Sequence, residues 1–263
     1  MDQVLAFRFL LAGAGMAVIA AATRQSVRGT SRRRLVALVA MGLTGYSAQA
    51  FTFIYALTSL PASLVELVLY TYPALVALAA WVVFRRRVTG AHAVALLASF
   101  GGVALLVGGV RLAAGSGLFF AAAAPLLYTA YILVGDYAMR GTPPLLAGAI
   151  VTCSAAVTFL AGTAVRGQLR PPAGATAWLL LFAIAAIPTM LALTTFLAGL
   201  PSVGAGRAAL LSTWEPLVTV ALAVVLLGDR FSALQALGGL LVLGSVAALQ
   251  WPSRTPAQAE SGP

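Results

Sequence analysis

Charge is the scarcest thing in this chain. Of 263 residues only 8% are charged, while 61% are hydrophobic. A soluble domain cannot clothe its own surface at that balance, so the surrounding solvent must be lipid. Cysteine occurs once, as Cys153 in the apolar run Val-Thr-Cys-Ser-Ala-Ala-Val, which excludes an intramolecular disulfide. Histidine also occurs once, as His92, and no spacing of metal-ligating residues is present, so redox and zinc chemistry are not expected. No glycine-rich loop leads into a basic phosphate ligand, which argues against ATP-driven work by this chain alone. No cofactor and no metal are expected.

Lysine is missing altogether, and all sixteen basic residues are arginine. The formal net charge of +10 would suit nucleic acid if those arginines formed a folded face. Eight of them lie instead in two short connections between apolar runs: Arg24, Arg28, Arg32, Arg33 and Arg34, then Arg85, Arg86 and Arg87. Such connections have too little area to bind nucleic acid. Basic residues beside a span resist translocation, so both connections are expected in the cytoplasm.

What the chain has in abundance is long apolar runs. A bilayer core about 30 Å thick needs roughly 20 residues per helix, so this length allows at most about ten spans with short loops. Reading between charges and turns gives nine, at 3–23, 35–56, 62–84, 90–110, 115–135, 144–165, 175–198, 203–227 and 232–250. Two over-long runs are divided at Thr58-Ser59-Leu60-Pro61 and at Gly199-Leu200-Pro201-Ser202, where proline suits the first turn of the next helix. The fold class is therefore an all-α polytopic membrane bundle. With the arginine clusters inside, the amino terminus lies outside and the carboxyl terminus in the cytoplasm of an inner (plasma) membrane protein. Eleven arginines then face the cytoplasm and four, Arg111, Arg166, Arg170 and Arg230, face outward, with Arg8 inside a span. The first run is read as a span and not as a cleavable signal, because its basic residues follow it. The tail at 253–263 reads as disordered.

The chain also resembles itself at an offset of 143 residues, which carries Pro73 onto Pro216, Arg87 onto Arg230, Thr89 onto Ser232 and Gly101 onto Gly244. The first four spans map onto the last four, and the fifth has no partner. This predicts a first repeat at 1–110 with four helices and a second at 111–252 with five. A unit of five spans reverses direction from one copy to the next, so the repeats are inverted, as in many secondary transporters that hold substrate where the halves meet.

Three stretches carry a family likeness: LAFRFLLAGAG in the first span, LYTYPALVAL followed by RRRVT, and GRAALLSTWEPLVTVALAVVLLGDRFSALQALGGLLVLG near the end. On these the chain resembles EamA-type members of the drug/metabolite transporter superfamily, over nearly its whole length. The resemblance implies ten helices and transport of amino acids or related metabolites. The chain departs from that pattern in lacking the first helix, and in carrying Arg85 to Arg87 where an acidic turn like Gly228-Asp229-Arg230 is common.

Ionisable groups inside a membrane are costly unless paired or facing water, so the few present are candidates for function. Glu215 precedes Pro216, which cannot donate a backbone hydrogen bond and should free the carbonyl of Ser212. A kinked helix bearing a carboxylate suits a substrate or proton site, although the carboxylate could equally lock the bundle by pairing with an arginine. Tyr72, before Pro73, is the repeat partner of Glu215. Glu66 lies about one turn inside the outer end of its span, as a coupling carboxylate or a group reaching headgroup water. Arg8 can pair with either carboxylate, contact an anionic substrate or snorkel to the interface. Arg207 opens the eighth span and reads mainly as a headgroup anchor.

Trp214 stands beside Glu215, where an aromatic face suits a cationic ligand. Tyr46, Phe51, Phe53, Tyr55, Tyr70 and Tyr128 are further candidates to line a cavity, against the plainer reading of packing. Cys153 reads as core filler and His92 as an interfacial residue. The glycines Gly13, Gly15, Gly101, Gly102, Gly108, Gly109, Gly238, Gly239 and Gly244 read as permitting close helix packing.

The function these readings favour is a secondary carrier working by alternating access on a small-molecule substrate, with protons or exchange coupled through Glu215 or Glu66. The expected partners are that substrate, possible coupling protons and membrane lipid, with no nucleic acid. The alternative is a non-transporting interaction or regulatory subunit that keeps a degenerate carrier fold. A membrane-embedded enzyme would need histidines and acids clustered at one face, and this chain has too few of either.

Overall fold

The computed structural model describes residues 2–84, 90–108, 115–139, 141–192, 195, 214–230 and 232–250. They form helices α1 (Asp2–Ala22), α2 (Arg32–Ala56), α3 (Ala62–Leu69), α4 (Tyr72–Phe84) and α5 (Gly90–Gly108), then α6 (Gly115–Ala138), α7 (Pro144–Val165), α8 (Ala175–Leu191), α9 (Trp214–Leu227) and α10 (Ala233–Gln250), with no strand among the described residues. Since α3 and α4 share one span, nine helical runs result. Five are long and apolar enough to cross a bilayer, and four more are apolar but shorter. Large apolar side chains such as Val18, Leu97, Phe119, Leu179 and Val225 face outward. Water would not tolerate such a belt, and lipid does.

Polar side chains inside the bundle are accommodated by bonding to their own helices. Thr52 donates to the carbonyls of Ala48 and Gln49, Thr163 to those of Phe159 and Leu160, and Ser154 to that of Ile150. No donor is left facing hydrocarbon at these positions.

Two of the interior seams join helices related by the 143-residue offset, α1 with α7 and α5 with α10. Along the seam between α1 and α7, Phe9 meets Phe159, Gly13 meets Cys153, and Met16 and Ala20 pack with Ala149 and Leu145. Partner numbers fall as α1 numbers rise, so the two run antiparallel. Asp2 and Arg166 close the seam at one end with a 2.7 Å ion pair, and Tyr55 donates to the same carboxylate at 3.3 Å. Small residues dominate the interface because hydrocarbon offers no hydrophobic drive, leaving close van der Waals approach to hold helices together.

α5 and α10 cross through glycine on both sides. A Cβ at Gly102 would lie 2.6 Å from the carbonyl oxygen of Gly238, and a Cβ at Gly238 would lie 2.6 Å from that of Gly102. Only glycine fits there. Gly101 and Gly244, which the repeat superposes, face open space instead. α3 and α9 form the third pair, with Ser63 meeting Asp229 and Tyr70 meeting Glu215.

Several local features differ from the sequence expectations. The third run is not continuous over 62–84, because the chain breaks at Tyr70 and Thr71. Pro73 stands at the second residue of α4, where its missing N–H costs nothing, and not at a kink in mid-helix. α2 and α8 each contain a π-helical segment, Met41–Tyr46 and Ala186–Leu191. Pro188 supplies the cause in the second, since it cannot donate to the preceding turn. In the first, Thr158 of α7 donates to the carbonyl of Leu43 at 2.9 Å, and Ser47 donates to that of Gly42 at 2.7 Å. α6 also runs three residues past its expected end.

Candidate functional site

Glu66 and Glu215 are carried by α3 and α9, which pack against each other. Glu66 is buried in the middle of α3 at 7% exposure, with no hydrogen-bond or ion-pair partner among the described residues. Glu215 lies in the first turn of α9 as described, and its Oε2 accepts the phenolic hydrogen of Tyr70 at 3.1 Å. The two carboxyls are within Coulombic reach of one another. Acidic side chains in an apolar bundle are costly unless paired or facing water, so the two mark a candidate binding site.

From Tyr70 a row of aromatic rings leads away from the carboxyls. Tyr70 packs edge-on to Tyr72 at 5.7 Å, and Tyr72 to Tyr128 at 4.6 Å. Tyr128 stacks with Tyr131 at 5.9 Å, Tyr131 meets Tyr46 at 5.7 Å, and Tyr46 meets Phe9 at 5.2 Å. The phenols come from α2, the α3–α4 break, α4 and α6, so the break at Tyr70 and the π segment ending at Tyr46 both serve to aim a ring into the row. π-helical turns recur at functional sites for this reason.

Arg8 stands at the far end. Its guanidinium donates to Thr189 Oγ1 at 3.3 Å, lies 5.8 Å from the centre of the Phe9 ring, and is within Coulombic reach of Tyr46. Its Nε is buried without a hydrogen-bond partner among the described residues. Thr189 belongs to the π segment of α8. The arrangement thus has an acidic end, an aromatic middle and a basic end.

Of the residues singled out in the sequence, Glu66, Glu215, Tyr72 and Pro73 gather here, with Pro216 buried beside them. Arg8 joins through the tyrosine row and pairs with Thr189, not with either carboxylate. Trp214 is 64% exposed and makes no ring contact among the described residues. Phe51 and Tyr55 stack at 4.1 Å in a separate cluster with Phe120, and Phe53 packs into the core around Leu64 and Leu67. Arg207, Ser212, Gly109, Arg85 to Arg87 and the tail at 253–263 lie outside the described residues, as does the side chain of His92. Tyr131 and Thr189 were not marked by the sequence reading. A tyrosine three residues after Tyr128 and a threonine after a proline were the available signals.

The nine apolar helical runs among the described residues, five of them long enough to cross a bilayer, define a polytopic membrane protein. The sequence matches the profile of the EamA-like transporter family over residues 2–108 and 115–250. The chain belongs to that family, and is a membrane transporter of the drug/metabolite transporter superfamily. A solved crystal structure superposes with a TM-score of 0.66 at 22% sequence identity, covering 94% of this chain and 87% of the other. That likeness concerns the fold. No curated protein matches the sequence.

Proposed function

We propose that the protein is a secondary carrier that moves a small metabolite, such as an amino acid or related compound, across the inner membrane by alternating access. Its halves, 1–110 and 111–252, act as inverted repeats rocking about a site near Glu215 and Glu66, with the amino terminus outside and the carboxyl terminus in the cytoplasm. The observation that carries this reading is the hydrogen bond from Tyr70 to the intramembrane carboxylate of Glu215 across the antiparallel contact of α3 and α9, one helix from each half, with buried Glu66 on α3 one turn before Tyr70. A carboxylate on a moving contact can take a proton in one orientation and release it in the other. Tyrosine rings beside it suit a ligand with a cationic or amphipathic surface. Lipid surrounds the bundle.

The test is a screen of candidate metabolites for uptake into vesicles containing the purified protein, with and without a pH gradient. Glu215→Gln should abolish gradient-driven uptake, and unchanged uptake by that variant would remove Glu215 from coupling.

A further inference from the structure

The helix pair that carries the two carboxyls is tied at one end by a contact outside the site. α3 begins after Pro61, and its amino terminus receives no capping bond from its own N-cap side chain. The acceptor comes instead from the turn after α9. Asp229 Oδ2 accepts the backbone N–H of Ser63 at 3.1 Å and the Ser63 hydroxyl at 2.8 Å. An anionic oxygen at a helix amino terminus, bonded twice, is a charge-assisted contact between segments 166 residues apart.

The repeat makes this contact one-sided. At the offset of 143, Asp229 corresponds to Arg86 and Ser63 to Gly206, with Arg207 next in sequence. A guanidinium has no acceptor atom and glycine has no hydroxyl, so the residues at those positions cannot form the counterpart. Carriers built from inverted repeats alternate by exchanging the conformations of their halves, and chemically equal halves would leave the two ends equally easy to open. Here one end has a bonded acid and the other has arginine.

We infer that Asp229 is a gate-positioning residue: its bonds to Ser63 hold the outer ends of α3 and α9 together, make the outward-closed state the resting state, and must break for the carrier to open outward. This rests on the carrier reading and on the orientation proposed above, which puts residues 58–63 and 228–230 on the outer face. A ligand entering from outside must therefore work against the latch, whereas the sequence places no acid and serine at the matching positions of the cytoplasmic end.

The experiment measures the distance between spin labels at Thr58→Cys and Arg230→Cys in a Cys153→Ala background, in lipid nanodiscs, by electron double resonance. With Asp229 intact a single short distance is expected. Asp229→Ala should add a longer-distance population and raise the open-to-closed ratio about tenfold, the scale of a lost hydrogen bond to a charged group. Ser63→Ala removes one of the two bonds and should shift the ratio less. A distance distribution unchanged in a monodisperse Asp229→Ala protein overturns the proposal and leaves Asp229 as a static cap. Should Asp229→Ala fail to fold, Ser63→Ala decides, an unchanged distribution again overturning the latch. A latch that opens in these variants while no metabolite is taken up by vesicles supports the gate and counts against the carrier reading alone.

Discussion

Tyr70 holds Glu215 through a 3.1 Å hydrogen bond that crosses from the first half of the chain to the second. The bond joins the break between α3 and α4 to the first described turn of α9, so any relative movement of these helices stretches it. Tyr70→Phe keeps the ring and removes the donor. Gradient-driven vesicle uptake should fall by about an order of magnitude, the scale of one hydrogen bond to a charged acceptor. Uptake within twofold of the unaltered protein would mean that the bond is incidental to transport.

Arg8 ends the tyrosine row with a buried Nε that lacks a hydrogen-bond partner among the described residues. Replacing it by methionine keeps an unbranched apolar stem and removes the cation. If the guanidinium meets an anionic group on the substrate, Arg8→Met should lower uptake by roughly tenfold or more, and Arg8→Lys should recover part of it, since an ammonium keeps the charge but lacks the planar fork. Equal uptake by all three proteins would return Arg8 to the role of an interfacial anchor.

The crossing of α5 and α10 tolerates no side chain at Gly102 or Gly238. Gly102→Leu should destabilise the bundle by about 1 to 3 kcal/mol or more through overpacking, read as a lower midpoint of thermal unfolding in detergent. Gly101→Ala, one residue away in open space, should leave the midpoint unchanged or raise it slightly, because alanine is the better helix former. Similar losses in both variants would contradict the packing described.

The π segment of α2 depends on a borrowed donor. Thr158→Val is nearly isosteric and leaves the Leu43 carbonyl without its cross-helix bond. The cost should be about 1 kcal/mol, with Thr158→Ser largely restoring stability. A denaturation midpoint identical in all three proteins would show that the carbonyl finds another donor.

The sequence was most legible where hydropathy decides the structure. Apolar runs flanked by arginine located α1, α5 and α7 to within one or two residues, since the bilayer fixes both length and composition. What could not be read was the backbone inside a run. The break at Tyr70 and Thr71 lies in a continuous apolar stretch, and hydropathy is blind to it; the geometry comes from contacts with α6 and α9. The π segments are hidden in the same way, because Gly42 and Gly45 are two glycines among 26. Of the candidate site, the two acids stood out by their rarity, as charges in apolar runs do. Tyr131 and Thr189 did not, because tyrosine and threonine are ordinary in spans and only position distinguishes them.

Helix pairing within the bundle has a consequence for how the chain is made. α1 packs on α7, α3 on α9 and α5 on α10, so these three early helices meet partners that are synthesised late, whereas α2 packs mainly on α6. As spans leave the ribosome in order, α1 waits in the bilayer until residue 165 has been inserted and α5 until residue 250, with their glycine and alanine faces turned to lipid. Assembly is therefore bound to the completion of translation, and a truncated product ending after α6 would insert without acquiring any of the three seams.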